Sequence, residues 1–123
     1  MNKPNLIALR NLIESLPDHK INLGYIATIK SDEGYISAID TDRLRDFNTS
    51  GCVAGYTCFL FGVNAPAWQL VDAPTVAKGI LELDDAVSNV LFDIARQEEY
   101  HQYKSHKSIA LARLSKLIGE AND

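Results

Sequence analysis

The sequence predicts a mainly α-helical fold: a single domain of five or six short helices around a buried central helix. Three observations carry that prediction. Apolar residues recur at helical spacing in four separate segments. Proline, glycine, serine and aspartate punctuate those segments where helices begin and end. One segment, Val53 to Phe61, is apolar or small on every face, the pattern of a helix with no exposed side. The 123 residues fit one domain, 1–123, with a frayed tail from about residue 120.

The first helix is expected from Asn5 to Leu16, with Leu6, Leu9, Leu12, Ile13 and Leu16 on its inner face. Pro4 sits just ahead of it and Pro17 stops it. The runs "GYIATIK" and "GYISAID" flank the turn-like "SDEG", which suggests a small β-hairpin near residues 25–39. "DTDRLRDF" reads as a helical turn capped by Asp40 or Thr41. Ser50 is the expected N-cap of the central helix, Gly51 to Phe61, and Gly62 its stop. Asn64 and Pro66 open a further short segment whose Trp68, Leu70 and Val71 cover the core. Asp72 or Pro74 starts the next, ending near Leu81. Asp84 caps another, with Leu83, Val87, Val90, Leu91 and Ile94 facing inward, and "ARQEEYHQYK" prolongs it as a solvated arm. Ser105 caps the last helix, where Ile109, Leu114, Leu117 and Ile118 face the core and Gly119 ends it.

Composition excludes more functions than it suggests. The formal net charge of −4 and the absence of a basic block disfavour direct nucleic-acid binding, which draws most of its affinity from phosphate neutralisation. The run Val53 to Val63 is far shorter than the ~20 apolar residues of a membrane span. The N-terminal stretch lacks the apolar core of a signal peptide, so a cytoplasmic location is expected. Cys52 and Cys58 are six apart; on one helix they point about 120° away from alignment and cannot bridge each other.

No catalytic constellation is legible. Phosphate-loop, dinucleotide, zinc-protease and nucleophile-elbow motifs are all missing. His19, His101, His106, Cys52 and Cys58 lack zinc-ligand spacing, so no metal and no cofactor are implied. Cys52, near a helix N-terminus, is the one candidate nucleophile, but it shares the apolar stripe with Tyr56. The plainer reading is structural: Cys52, Ala54, Gly55 and Tyr56 form a tightly packed core segment, where Gly55 permits close approach of a neighbour. The best candidate for partner binding is the aromatic, charged stretch holding Arg96, Glu99, Tyr100, Tyr103 and Lys104, since tyrosine and arginine are enriched in interfaces.

Three stretches carry a resemblance. "NLIALRNLIESLP" matches an NLxxLxxxIxxLP helix, "GCVAGY" a GC(V/I)AG(Y/W/H) helix, and "LELDDAVSNVLF" an LxL(D/T)x6LF pair followed by an AxxxL helix in "SIALARLSKLI". In this order they resemble a family of small uncharacterised bacterial and phage proteins, and they cover most of the chain. Many members carry a further cysteine in a "CGT" element; this chain has "FNTSG" there, so a shared metal or disulfide role for the cysteines does not transfer. The resemblance implies no activity. It implies a phage or mobile-element context, in which small proteins act as binders of a host protein complex, anti-CRISPR inhibitors among them. The function expected is thus a non-enzymatic protein-binding module acting on a host or phage protein complex. The rivals are a small Cys52-dependent enzyme and a self-associating protein, a homodimer with Phe61 and Trp68 at its surface.

Overall fold

In a computed structural model, described over residues 1–23, 28–31, 34–37, 50–62 and 73–121, the chain is mainly helical. At residues 28–31, 34–37 and 50 the description is of the backbone. Helix α1 spans Lys3–Ser15, and a 3-10 turn follows at Asp18–Lys20. Strands β1 (Thr28–Ser31), β2 (Gly34–Ser37) and β3 (Ser50–Gly51) precede α2, Val53–Leu60. Then come α3 (Ala73–Leu81), α4 (Asp85–Leu91), α5 (Gln97–Tyr103) and α6 (His106–Glu120). The capped turn expected at Asp40–Thr41 and the short segment around Pro66 and Trp68 lie outside the described residues.

Helix α1 begins two residues earlier than its apolar spacing predicts. Asn2 is the cap, its Oδ1 accepting the Asn5 amide at 3.1 Å, and Pro4 lies inside the first turn, where its missing amide costs nothing. The same end closes another helix. The Asn2 amide donates to the Leu81 carbonyl at 2.9 Å and the Asn5 side-chain amide to that of Ile80 at 2.9 Å. Two carbonyls left over at the end of α3 are thereby satisfied. At its other end α1 meets α6, where Lys107 Nζ donates to the Glu14 carbonyl at 2.9 Å.

The hairpin is present, with β1 and β2 antiparallel and Ile29 opposite Ile36. It continues into a third strand: β3 pairs with the other edge of β1, Ile29 opposite Gly51, in the order β2-β1-β3. Ser50 is therefore a strand residue rather than the cap of α2. Cys52 takes that place, its Sγ accepting the Gly55 amide at 3.4 Å. Gly62 ends α2 as expected, with a left-handed φ of 73° that favours glycine.

Among the described residues the core is one cluster. Helix α1 packs along α6, and α2 along α3, with α1 touching both α2 and α3. Leu6, Leu9 and Ile13 of α1 meet Val53, Ala54, Tyr56 and Cys58 of α2, Ala77 and Leu81 of α3, and Ile109, Leu114 and Leu117 of α6. Every residue of α2 from Val53 to Cys58 is buried. Burial of this apolar surface, at roughly 25 cal/mol per Å², is the main favourable term in the fold.

The C-terminal third departs most from expectation. Helix α4 stops at Leu91, and the predicted arm is a separate helix, α5, packed on α6. Val90 and Ile94, expected inward, are exposed. Gly119 lies within α6, which runs to Glu120 and is closed by the Ala121 amide on the Leu117 carbonyl.

Candidate functional site

The buried cysteine segment is chemically quiet. Cys52, Ala54, Gly55 and Tyr56 are all buried. Burial pushes the Cys52 thiol up to about 11, against the smaller opposing pull of backbone amides led by that of Gly55. At neutral pH it is a protonated thiol, not a thiolate. Tyr56 donates its hydroxyl to the Lys20 carbonyl at 2.8 Å, and burial raises its pKa as well. Cys58 Sγ lies 3.8 Å from the Ala73 carbonyl, and neither cysteine forms a disulfide. Among the described residues, no three His, Cys, Asp or Glu side chains gather as a ligand set. None of the described helices is long and apolar enough to cross a membrane.

The polar stretch is organised by a residue outside it. Arg113 stands on α6 four residues from Ile109 and four from Leu117, in the middle of the buried stripe. Its guanidinium reaches the gap between α4 and α5. Nε donates to Glu99 Oε2 at 2.9 Å and Nη2 to Glu99 Oε1 at 2.7 Å, a two-pronged ion pair. Nη1 donates to the Asp93 carbonyl at 2.7 Å and, more weakly, to that of Leu91 at 3.4 Å; Nη2 also donates to that of Ile94 at 2.9 Å. The last carbonyl of α4, that of Leu91, and two in the turn beyond it are thus met by a cation, the charge that a helix C-terminus favours.

Two of the predicted contact residues serve this junction. Glu99 holds Arg113 and also accepts the Arg96 amide at 3.2 Å, which closes the first turn of α5. The hydrogen bond from Arg113 keeps its carboxyl below the usual range. Arg96 Nε donates to Asp93 Oδ2 at 2.9 Å, and three carboxylates surround it: Asp93 first, then Glu99 and Glu98. The other three residues are free to face outward. Tyr100 is 51% exposed and Tyr103 36%. Lys104 is exposed and takes a left-handed φ of 70°, which turns the chain from α5 into α6.

Behind Tyr100 stands His106, the first residue of α6. The two rings meet edge to face with centroids 6.1 Å apart. His106 Nδ1 accepts the Leu23 amide at 2.9 Å, so the neutral ring carries its proton on Nε2. Burial, then the nearby Arg113 charge, lowers its pKa.

Six large apolar side chains are exposed among the described residues, and four of them, Val90, Ile94, Tyr100 and Tyr103, fall between positions 90 and 103. Beside them, Val87 and Val90 of α4 and Leu117 of α6 line an apolar groove of about 280 Å³. Sequence reasoning found the tyrosines but missed Val90, Ile94 and Arg113. The signal for Arg113 was available: an arginine at a core-facing helical position needs carboxylate or carbonyl partners. For the outward turn of Val90 and Ile94 there was none, because it depends on where α4 stops.

Comparison with known proteins finds no matching family model, no matching curated protein and no matching solved structure.

Proposed function

We propose that this protein is a non-enzymatic binding module that docks a host protein complex through the outer side of α4 and α5. The observation that carries the reading is the concentration of exposed apolar side chains between Val90 and Tyr103, on a segment that Arg113 ties to the core. A rigid aromatic contact loses little side-chain entropy on binding, so such a surface gains more of its burial energy as affinity. The protonated, buried Cys52 supports the non-enzymatic side of the reading, and the net charge of −4 favours protein over nucleic acid. The resemblance to phage and bacterial proteins adds the biological class: a mobile-element inhibitor of a defence complex, anti-CRISPR-like, acting in the host cytoplasm.

The test is affinity capture of the tagged chain from host lysate, beside the Tyr100→Ala/Tyr103→Ala double variant. A stoichiometric partner that the variant loses supports the module and its face. A partner held equally by the variant moves the face elsewhere, and no partner at all sinks the proposal.

A further inference from the structure

We infer that the groove between α4 and α6 seats an amphipathic helix of the partner, one with apolar residues at i, i+4 and i+7 and a lysine or arginine at one end. This rests on the protein-binding reading above and names the chemistry of what is bound. The first argument is shape. The groove runs along α6 from Arg113 to Glu120, which is about 10 Å at 1.5 Å per residue, or two helical turns. Ala86, Val87, Val90, Leu91 and Leu117 make its apolar surface, and Arg113, Lys116 and Glu120 of α6 complete the wall, so it is concave and mostly apolar with charged groups along one side. Two turns of a partner helix present three side chains on one face over that length, the usual anchors of helix-in-groove recognition.

The second argument is charge. At Val90 and Arg113 the groove opens into a second hollow of about 340 Å³, lined by Asp93, Arg96, Glu98 and Glu99. Arg113 neutralises Glu99 and Arg96 neutralises Asp93. Glu98 is the carboxylate in excess, with no hydrogen bond or ion pair among the described residues. A cation at the end of the bound helix meets that excess, whereas an anion there is repelled. A second copy of this chain is a poorer occupant. None of its described helices exposes the required stripe: α1 follows the exposed Ile7 with Asn11 and Glu14, and α4 ends before Ile94.

The probe is a synthetic helical peptide with leucines at i, i+4 and i+7 on an alanine–glutamine background and two lysines at one end. Its binding to the full chain is read by fluorescence anisotropy against a version ending in two glutamates and a scrambled version. The lysine peptide is expected to bind at least about tenfold more tightly than either, a difference of ~1.4 kcal/mol. Val90→Glu should abolish binding, and Glu98→Lys should reverse the preference between lysine and glutamate ends. Both positions are exposed, and thermal melts of both variants check that the fold is kept. Equal binding of the scrambled peptide, binding that survives Val90→Glu, or no binding at all overturns the inference. So does a dimer in sedimentation that Val90→Glu dissociates, which assigns the groove to a second copy. Capture of a partner through Tyr100 and Tyr103 with no peptide bound sinks the groove alone. Peptide binding with no captured partner sinks the wider reading instead.

Discussion

Helix α2 and the α4–α5 junction are held by opposite means. Helix α2 is buried from Val53 to Cys58 among apolar side chains, and its fixed points are shape and volume. The junction is held by one guanidinium that meets a carboxylate and three carbonyls. The first kind of anchoring is indifferent to pH and intolerant of lost methylenes. The second tolerates changes of volume but fails when a charge is removed. The exposed side chains set on the second kind are firmly placed without adding to the apolar core.

The contrast can be broken from either side. The largest effect is expected in the apolar half: Leu9→Ala should cost about 3–4 kcal/mol, equally at pH 7.5 and pH 5. Urea unfolding at both values checks this, and a strong pH dependence of the loss speaks against a purely apolar anchor. Next is Arg113→Met, which leaves the Glu99 carboxylate with only the Arg96 amide and the carbonyls of Asp93 and Ile94 without the guanidinium. It should cost about 2–3 kcal/mol. Arg113→Lys should recover only part of that, because an ammonium lacks the planar fork. Full recovery with lysine reduces the junction to a point charge.

Acidification sharpens the comparison further. His106 has a folded pKa below its ordinary 6.5. Its contribution is therefore complete above 6.5 and is lost as pH falls through the lower folded value, because the unfolded chain takes up the proton first. Glu99 follows the same sign from its ordinary 4.5 downward. Stability should fall in two steps, the upper one removed by His106→Asn, whose amide oxygen still accepts the Leu23 amide. A single step near the carboxylate range in the native chain would refute the role given to His106. The smallest change is expected for Tyr100→Ala/Tyr103→Ala, within ~0.5 kcal/mol in stability, since exposed side chains contribute little to folding.

How much of this was legible depended on where the cause lay. Gly62, Asp84 and Ser105 were legible as stop and caps because turn and cap chemistry acts over three or four residues; Asp84 and Ser105 accept the amides of Val87 and Ser108. The burial of α2 was legible because each of its positions is apolar or small. Ser50 misled because β3 pairing with Ile29 and Lys30 draws it into a strand, a partner twenty residues away. The break after Leu91 was not legible, since no proline or glycine marks it. The residues from Leu83 to Lys104 keep a helical pattern, and the break is stabilised by Arg113 from another helix. Gly119 was over-read, because glycine in the last turn of a helix costs only about 1 kcal/mol, which packing of Leu117 and Ile118 offsets. Arg96 and Glu99 have the composition of an interface, and they also serve the junction, Glu99 through Arg113 and the exposed Arg96 through Asp93.

The junction should also leave a trace in diverged sequences. Glu99 and Arg113 are fourteen positions apart, on different helices, and their fit requires a planar fork against a carboxylate. Aspartate is one methylene too short for that reach, and lysine lacks the fork. Core positions can exchange leucine for isoleucine or methionine with little penalty. In a divergent descendant of this fold the aliphatic pattern therefore blurs first. What should persist is a glutamate in the first turn of a short helix and, fourteen residues on, an arginine set among apolar positions of the next. That pair is a more durable marker of ancestry than the glycine–cysteine segment, whose small residues other close-packed helices share.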